Sequence, residues 1–449
     1  MNWEATADTE VKRRLTSDAA LYALASASSA VASVAAVIVL TRLLAAEGYG
    51  LYAAIGGLVL IVQNAGYLAI QTSIIRFHAR AGGPDGERRL ATAVRVVYAA
   101  VTAAVTLVWV ACAWWLGEAG VSRQLALAGL ALLVLRGWLS LVQAWNRAQG
   151  RPWAYLIHEA VQSFGALVLA IAVLQEAPNS AAAAVWAAAA ATALAAALSP
   201  GLLLTKWSPG GTGTILREIF AYGAPLAMVF FAGAALAVSD RLLVAVHVGA
   251  AAAGAYAVAF AVADRAMQLL LLPIPLAAKP LLFAAWEREG EAGARPVLTR
   301  SARWLIGLGL PTATVLIVAP EPIASVLAGG GLAGEAARLI PWLAVGSLLS
   351  CLLSHHFSLA FQLTRKTLWM LVAMGLPALL NVAANLVLIP RYGSIAAGWT
   401  TVAAYALALT LAILLGRREV AIPFPLRTAG LALLACLPLA VFLRLIVNA

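Results

Sequence analysis

A chain of 449 residues that is 63% hydrophobic and 11% charged stands far from the about 45–50% and about 25% of soluble domains, which excludes an ordinary soluble or disordered protein. Its 30 Lys and Arg against 19 Asp and Glu give a net charge of +11, which in so apolar a chain belongs to loops at an anionic lipid surface rather than to nucleic acid. Cys112, Cys351 and Cys436 fall in separate apolar stretches without paired spacing and read as small apolar residues, not disulfides or ligands.

Thirteen segments reach the roughly 20 apolar residues that a helix needs to cross hydrocarbon. In chain order they are 19–41, 49–75, 90–116, 123–146, 153–174, 180–205, 218–239, 250–284, 297–319, 336–362, 367–389, 393–415 and 427–447. The predicted class is an all-α polytopic membrane protein, with loops too short for a separate soluble domain. The first segment follows Lys12, Arg13 and Arg14 and is too long for a cleavable signal.

With that end in the cytoplasm, the inner loops collect Arg76, Arg80, Arg88 and Arg89, then Arg147, Arg151, Lys206 and Arg217. Lys279, Arg288, Arg295, Arg300 and Arg303 follow, then Arg365, Lys366, Arg417, Arg418 and Arg427. The outer loops hold only Arg42, Arg123, Arg241, Arg338, Arg391 and Arg444. This asymmetry obeys the positive-inside rule and predicts a cytoplasmic N-terminus. Thirteen spans put the C-terminus outside; the other arrangement has twelve spans and a last segment that lies differently.

Interior prolines concentrate in the second half, at Pro225, Pro273, Pro275, Pro311 and Pro377, against Pro200 near the end of span 6. They read as packing kinks, or as a sign that the second half does more of the bending. Trp3, Trp114, Trp115, Trp153, Trp207, Trp286 and Trp342 sit near span ends, where an aromatic belt is expected.

Two stretches repeat one pattern. Tyr22, an apolar run, Thr41-Arg42-Leu43-Leu44 and Gly50-Leu51-Tyr52-Ala53 are echoed by Tyr222, an apolar run, Asp240-Arg241-Leu242-Leu243 and Gly254-Ala255-Tyr256-Ala257. A duplicated half inside a membrane protein marks a transporter that rocks two lobes around a central site. The repeat predicts an N-terminal lobe over 1–210 with spans 1–6, a C-terminal lobe over 211–420 with spans 7–12, and an additional C-terminal span over 421–449. Ser208-Pro209-Gly210-Gly211-Thr212-Gly213 is the natural linker. Six is even, so both copies enter the membrane in the same direction, as parallel repeats do. The copies differ at Thr41 against Asp240, and the acid beside Arg241 marks this helix end as a candidate outer gate.

No enzyme motif is present, and no cofactor or metal is expected. There is no Gly-x-x-x-x-Gly-Lys-Ser/Thr phosphate loop, so ATP is not the direct driver. His355 and His356 adjoin on one helix about 100° apart, the wrong spacing for joint ligation, and His158 beside Glu159 meets the same objection. What remains is a set of buried charges, each costing a few kcal/mol at the bilayer centre without a partner or a wet cavity. At 1.5 Å per residue, Arg95, Arg136, Glu159, Asp264 and Arg265 fall in one layer about 10 Å from the inner side. One reading is ion pairing that locks the bundle, for example Arg136 with Glu159. The other is a cationic vestibule, joined by Arg42 and Arg241 if they turn inward, that binds a diphosphate through bidentate guanidinium contacts. Glu159, Asp264 and Asp240 are then coupling or ion-pair residues. Gln63, Asn64, Gln143, Gln162, Gln268, Asn381 and Asn385 line a sugar path or bond between helices, with the second reading preferred.

Thr41-Arg42-Leu43-Leu44 with Glu47-Gly48-Tyr49-Gly50-Leu51-Tyr52 resembles a signature of bacterial polysaccharide flippases, part of the multidrug/oligosaccharidyl-lipid/polysaccharide (MOP) exporter superfamily. Tyr222-Gly223-Ala224-Pro225-Leu226 with Asp240-Arg241-Leu242 is similar to that family's helix 7, and Asn385-Leu386-Val387-Leu388-Ile389-Pro390-Arg391-Tyr392-Gly393 to the segment ahead of its helix 12. The resemblance covers about residues 15–420; its members have twelve or fourteen helices, from which thirteen departs. It implies two six-helix lobes and the flipping of undecaprenyl-diphosphate-linked oligosaccharide, such as O-antigen or exopolysaccharide units, across a bacterial inner membrane. It further implies contact with membrane lipids and with polysaccharide polymerase and assembly proteins. A drug/cation antiporter, a lipid II-type flippase and a non-transporting scaffold are the alternatives; an antiporter predicts a carboxylate-dominated cavity, whereas arginine outnumbers carboxylate in the buried layer.

Overall fold

Apolar runs without breakers form helices, and Gly, Pro and Ser positions end them. The computed structural model describes residues 3–78, 80–118, 121–329, 331–364 and 366–447, with side chains described outside 3–20, 23, 112–118, 224–226, 229, 280 and 367. Arg365 and the side chains of Trp3, Lys12, Arg13, Arg14, Cys112, Trp114, Trp115 and Pro225 lie outside the described set.

In chain order the helices are α1 (Trp3–Leu43), α2 (Ala46–Gly66), α3 (Leu68–His78), α4 (Pro84–Glu118), α5 (Arg123–Ala148), α6 (Pro152–Glu176), α7 (Ala181–Ala197) and α8 (Gly201–Leu204). They continue with α9 (Thr212–His247), α10 (Ala250–Leu271), α11 (Pro273–Val318), α12 (Pro320–Leu327) and α13 (Ala333–Leu352). A π-helical turn, Leu353–Phe357, leads into α14 (Leu359–Leu363), then α15 (Thr367–Tyr392), α16 (Ser394–Gly416) and α17 (Leu426–Val447). Ser122 and Ser180 cap α5 and α7, each accepting at 3.2 Å from the backbone N–H three residues on. Pro152 opens α6, where its missing N–H costs nothing.

Twelve described helices are long and apolar enough to cross a membrane, and Ala181–Ala197 is a shorter apolar one. Together they match the thirteen segments one for one, and the described residues contain no strand. Continuous spans break where sequence demands it. Span 2 divides at Tyr67 and span 6 at Ser199-Pro200. Span 8 steps from α10 to α11 at Pro273, and span 10 carries the π turn.

Two compact units account for the contacts: Met1–Ala35 with Val59–Phe230, and Ala36–Leu58 with Phe231–Ala449. In the first, α5 packs against α3, α4, α6 and α7. Helix α7 is nearly all alanine, and its buried Ala184, Ala187, Ala188, Ala191 and Ala195 let neighbouring backbones approach closely. The fully buried Tyr67 ring sits where a Cβ on Gly137 would come within 2.6 Å, and its hydroxyl bonds Thr102 Oγ1 at 2.9 Å. In the second unit α13 packs against α10, α11, α12 and α16, and α16 against α15. Here too a small-residue face, Ala396, Ala397, Ala404, Ala408 and Ala412, is the buried one. Helix α17 packs on α11 and is otherwise exposed, as suits a lipid-facing span.

Candidate functional site

The second unit carries a buried polar network centred on Asp240. Asp240 lies on α9 and is 1% exposed. Tyr256 Oη, from α10, donates to its Oδ2 at 2.7 Å, and Thr401 Oγ1, from α16, donates to the same oxygen at 2.5 Å. Asn385 Nδ2, from α15, donates to Oδ1 at 2.5 Å and to Asn381 Oδ1 at 3.2 Å, while Thr400 donates to Asn385 Oδ1.

Local sequence explains the convergence. Asn381 and Asn385 are one turn apart and share a face of α15. Gly346 of α13 lies where a Cβ would come within 3.1 Å of the Thr401 methyl, so α16 can approach and present Thr401. A buried carboxylate costs several kcal/mol unless its oxygens are bonded, and here three neutral donors bond it. Carboxylate, hydroxyl and amide oxygens are the ligand types that a proton or a hard cation prefers. The amide nitrogen of Asn381 is buried without an acceptor, so the network is one partner short.

Arg241, next on α9, does not pair with Asp240 in a salt bridge. Its guanidinium stands over the Phe260 ring at 4.6 Å, and Asp240, Asp264, Tyr49 and Tyr256 lie close enough to interact with its charge. Its Nε is buried and makes no hydrogen bond. Asp264, half-buried on α10, has Gln268 one turn on along the same helix, and Arg265 beside it is exposed. The acid of the second repeat copy therefore belongs to a four-helix network rather than to a local Asp–Arg pair.

The first copy behaves differently. Thr41 is fully buried; its Oγ1 donates to Val37 O at 2.7 Å and accepts the Gly329 N–H at 2.9 Å. Arg42 is exposed and donates to Ile38 O at 2.6 Å and to Val326 O at 2.8 Å. Val326 lies in the last turn of α12, whose carbonyls lack helical partners, so Arg42 caps that helix. The two copies also meet. Ala46 and Gly50 of α2 cross Ala250 and Gly254 of α10, with a Cβ on Gly254 falling 3.1 Å from Ala46 O and Gly50 N.

In the first unit Arg95 engages the segment just ahead of the linker. It donates to Leu203 O at 2.9 Å and stacks on Trp207 with 5.3 Å to the ring centroid, while Thr92 Oγ1 accepts the Ser208 N–H at 3.0 Å. Trp207 is thereby a partner of Arg95 as well as an interfacial ring. Glu159 Oε1 accepts from Gln143 Nε2 at 2.8 Å, and Arg136 is half-buried on α5 two turns before Gln143. The polar spans thus bond between helices at Gln143, Asn385 and, at 3.4 Å to Thr192, Gln162. Sequence reasoning did not single out Thr400 and Thr401; the signal was a Thr-Thr pair in an apolar span opposite an Asn-x3-Asn face.

The class that this architecture defines is an all-α polytopic membrane protein with the fold of the MOP superfamily. The chain is similar to a structure described as lipid II flippase MurJ in an inward closed conformation, with TM-score 0.76, 12% identity, and coverage of 95% of this chain and 98% of that one. It is also similar to an inward-facing multidrug resistance MATE family transporter of the MOP superfamily, with TM-score 0.70, 13% identity, and coverage of 89% and 94%. At these identities the likeness establishes the fold. No curated protein sequence matches the chain. A family model described as polysaccharide biosynthesis protein matches residues 39–331, and the chain belongs to that family. The resemblance read from the motifs is borne out at the level of family and fold.

Proposed function

We propose that this protein flips a polyprenyl-diphosphate-linked oligosaccharide, of the undecaprenyl type, from the inner to the outer leaflet of a bacterial cytoplasmic membrane by alternating access. The observation that carries the proposal is one of coincidence: a polysaccharide biosynthesis family chain has the fold of a lipid II flippase along nearly its whole length. It acts as a transporter rather than an enzyme, with its N-terminus cytoplasmic and with membrane lipids, polymerase and assembly proteins as partners.

Of the five arginines weighed for the diphosphate, Arg42 and Arg95 direct guanidinium hydrogens to backbone carbonyls. Arg241 and Arg265 are therefore the better candidates for bidentate phosphate contact, with Arg136 kept from the buried layer as a third to test. Purified protein in liposomes with a fluorescent polyprenyl-diphosphate sugar tests the reading: time-dependent exposure of the sugar to an external quencher is expected. Wild-type rates from a triple Arg136→Ala, Arg241→Ala, Arg265→Ala variant would remove the cationic vestibule.

The Asp240 network favours a second reading, cation-coupled antiport of drugs. It predicts dye efflux dependent on a proton or sodium gradient, and no protection of a lipid-linked sugar from the quencher.

A further inference from the structure

We propose that a cleft between the two arms of α11 binds an anionic glycerophospholipid of the surrounding leaflet, with an acyl chain in the cleft and the phosphate at Arg300. Helix α11 is a hairpin: Gly290 turns it at φ 61° and ψ −140°, a conformation that glycine adopts readily. The arms close on one face where Leu282 packs with Ala294 and Leu298. On another face Pro273, Ala277 and Ala278 of one arm and Pro296 and Val297 of the other line a cleft of about 650 Å³. That volume suits a small amphiphile rather than a single water.

Two polar groups mark the occupant. Ser301 lines the cleft, is 5% exposed, and its Oγ is buried without a hydrogen-bond partner. Serine and threonine in helices ordinarily return the hydroxyl to the carbonyl four residues back, as Thr299 does to Arg295 O at 2.9 Å in the same helix. Ser301 does not, so its hydroxyl is an unsatisfied donor in the wall of the cleft, which a rotation of χ1 would turn to an acceptor there. Arg300 lines the same cleft from an exposed position, where a long stem can lift its charge to the interface.

The mouth opens toward lipid, since Leu281 is 65% and Trp304 is 56% exposed. Arg300 stands about 15 Å along its arm from the Gly290 turn, and Trp304 about 6 Å farther. A phosphate at Arg300 would therefore leave a chain running inward along Trp304 and Ile274. One guanidinium and one hydroxyl match one phosphodiester. A sugar diphosphate would need polar walls, and the remaining lining is apolar. The site is separate from the arginines assigned to substrate.

Native mass spectrometry of the full chain, titrated with phosphatidylglycerol and with phosphatidylcholine of the same acyl chains, tests this. Phosphatidylglycerol should be retained about fivefold better, as one interfacial arginine implies. The preference should vanish in Arg300→Gln, an exposed change that leaves packing intact. Ala277→Trp, which fills the cleft, should lower retention of both lipids. Equal retention of the two lipids by wild type, or an unchanged preference in Arg300→Gln, overturns the proposal. So does polyprenyl diphosphate that binds and is lost in both variants while phosphatidylglycerol is unaffected, because the cleft would then hold the transported lipid's tail.

Discussion

Gly50 and Gly254, equivalent positions in the two copies of the repeat, meet backbone to backbone where α2 crosses α10. Each is preceded four residues earlier by alanine, so two Ala-x3-Gly faces make a crossing that any larger residue would wedge apart. A Cβ on Gly50 would fall on the Ala250 carbonyl, whereas one on Gly56, farther along the same helix, would meet nothing within 4 Å.

Gly50→Ala should therefore destabilise the protein by about 1–3 kcal/mol, while Gly56→Ala should be neutral or stabilise by about 0.5–1 kcal/mol through helix propensity. Thermal unfolding in detergent reads both. Equal shifts for the two variants would mean that the crossing is looser than described.

The Asp240 network predicts unequal effects from its members. Tyr256→Phe and Thr401→Val each remove one hydrogen bond to a carboxylate and should cost about 1.5–3 kcal/mol. Asp240→Asn keeps the shape and should fold. If the carboxylate couples a cation to transport, that variant loses gradient dependence in the liposome assay; gradient dependence equal to wild type would make the network purely structural.

Arg95 holds Leu203 and Trp207 ahead of the linker in the first unit, so Arg95→Ala should release segment 203–207 and speed tryptic cleavage at Lys206. Arg95→Lys, which cannot make the same planar stack and fork, should restore protection only in part. Loss of flipping without any change in cleavage would instead assign Arg95 to substrate.

Arg42 caps α12, and Arg42→Ala should cost about 1 kcal/mol, the usual scale of a lost helix cap. Exchanging Thr41 and Asp240 should be far more damaging than either position's polarity suggests. An acid at position 41 would be buried opposite one backbone N–H instead of three side-chain donors. A swap variant as stable and as active as wild type would contradict these environments.

Much of this protein could be read from its chain. Membrane class and the thirteen apolar segments follow from hydropathy, because span length is a property of consecutive residues and the bilayer sets it. The duplication and the family motifs were likewise visible at Thr41-Arg42, Asp240-Arg241 and the two Gly-x-Tyr-Ala segments.

Partners were not legible. Asp240 reads as the neighbour of Arg241, yet its carboxylate turns to Asn385 and Thr401, 145 and 161 residues away. Arg42 reads as an outer arginine that joins the vestibule if it turns inward, yet it caps a turn 284 residues on. Sequence alone determines which segments are apolar enough to enter the membrane and which of them are copies. Tertiary structure alone decides which way each helix is rotated, and about 100° per residue is enough to turn a side chain from its chain neighbour to a distant helix.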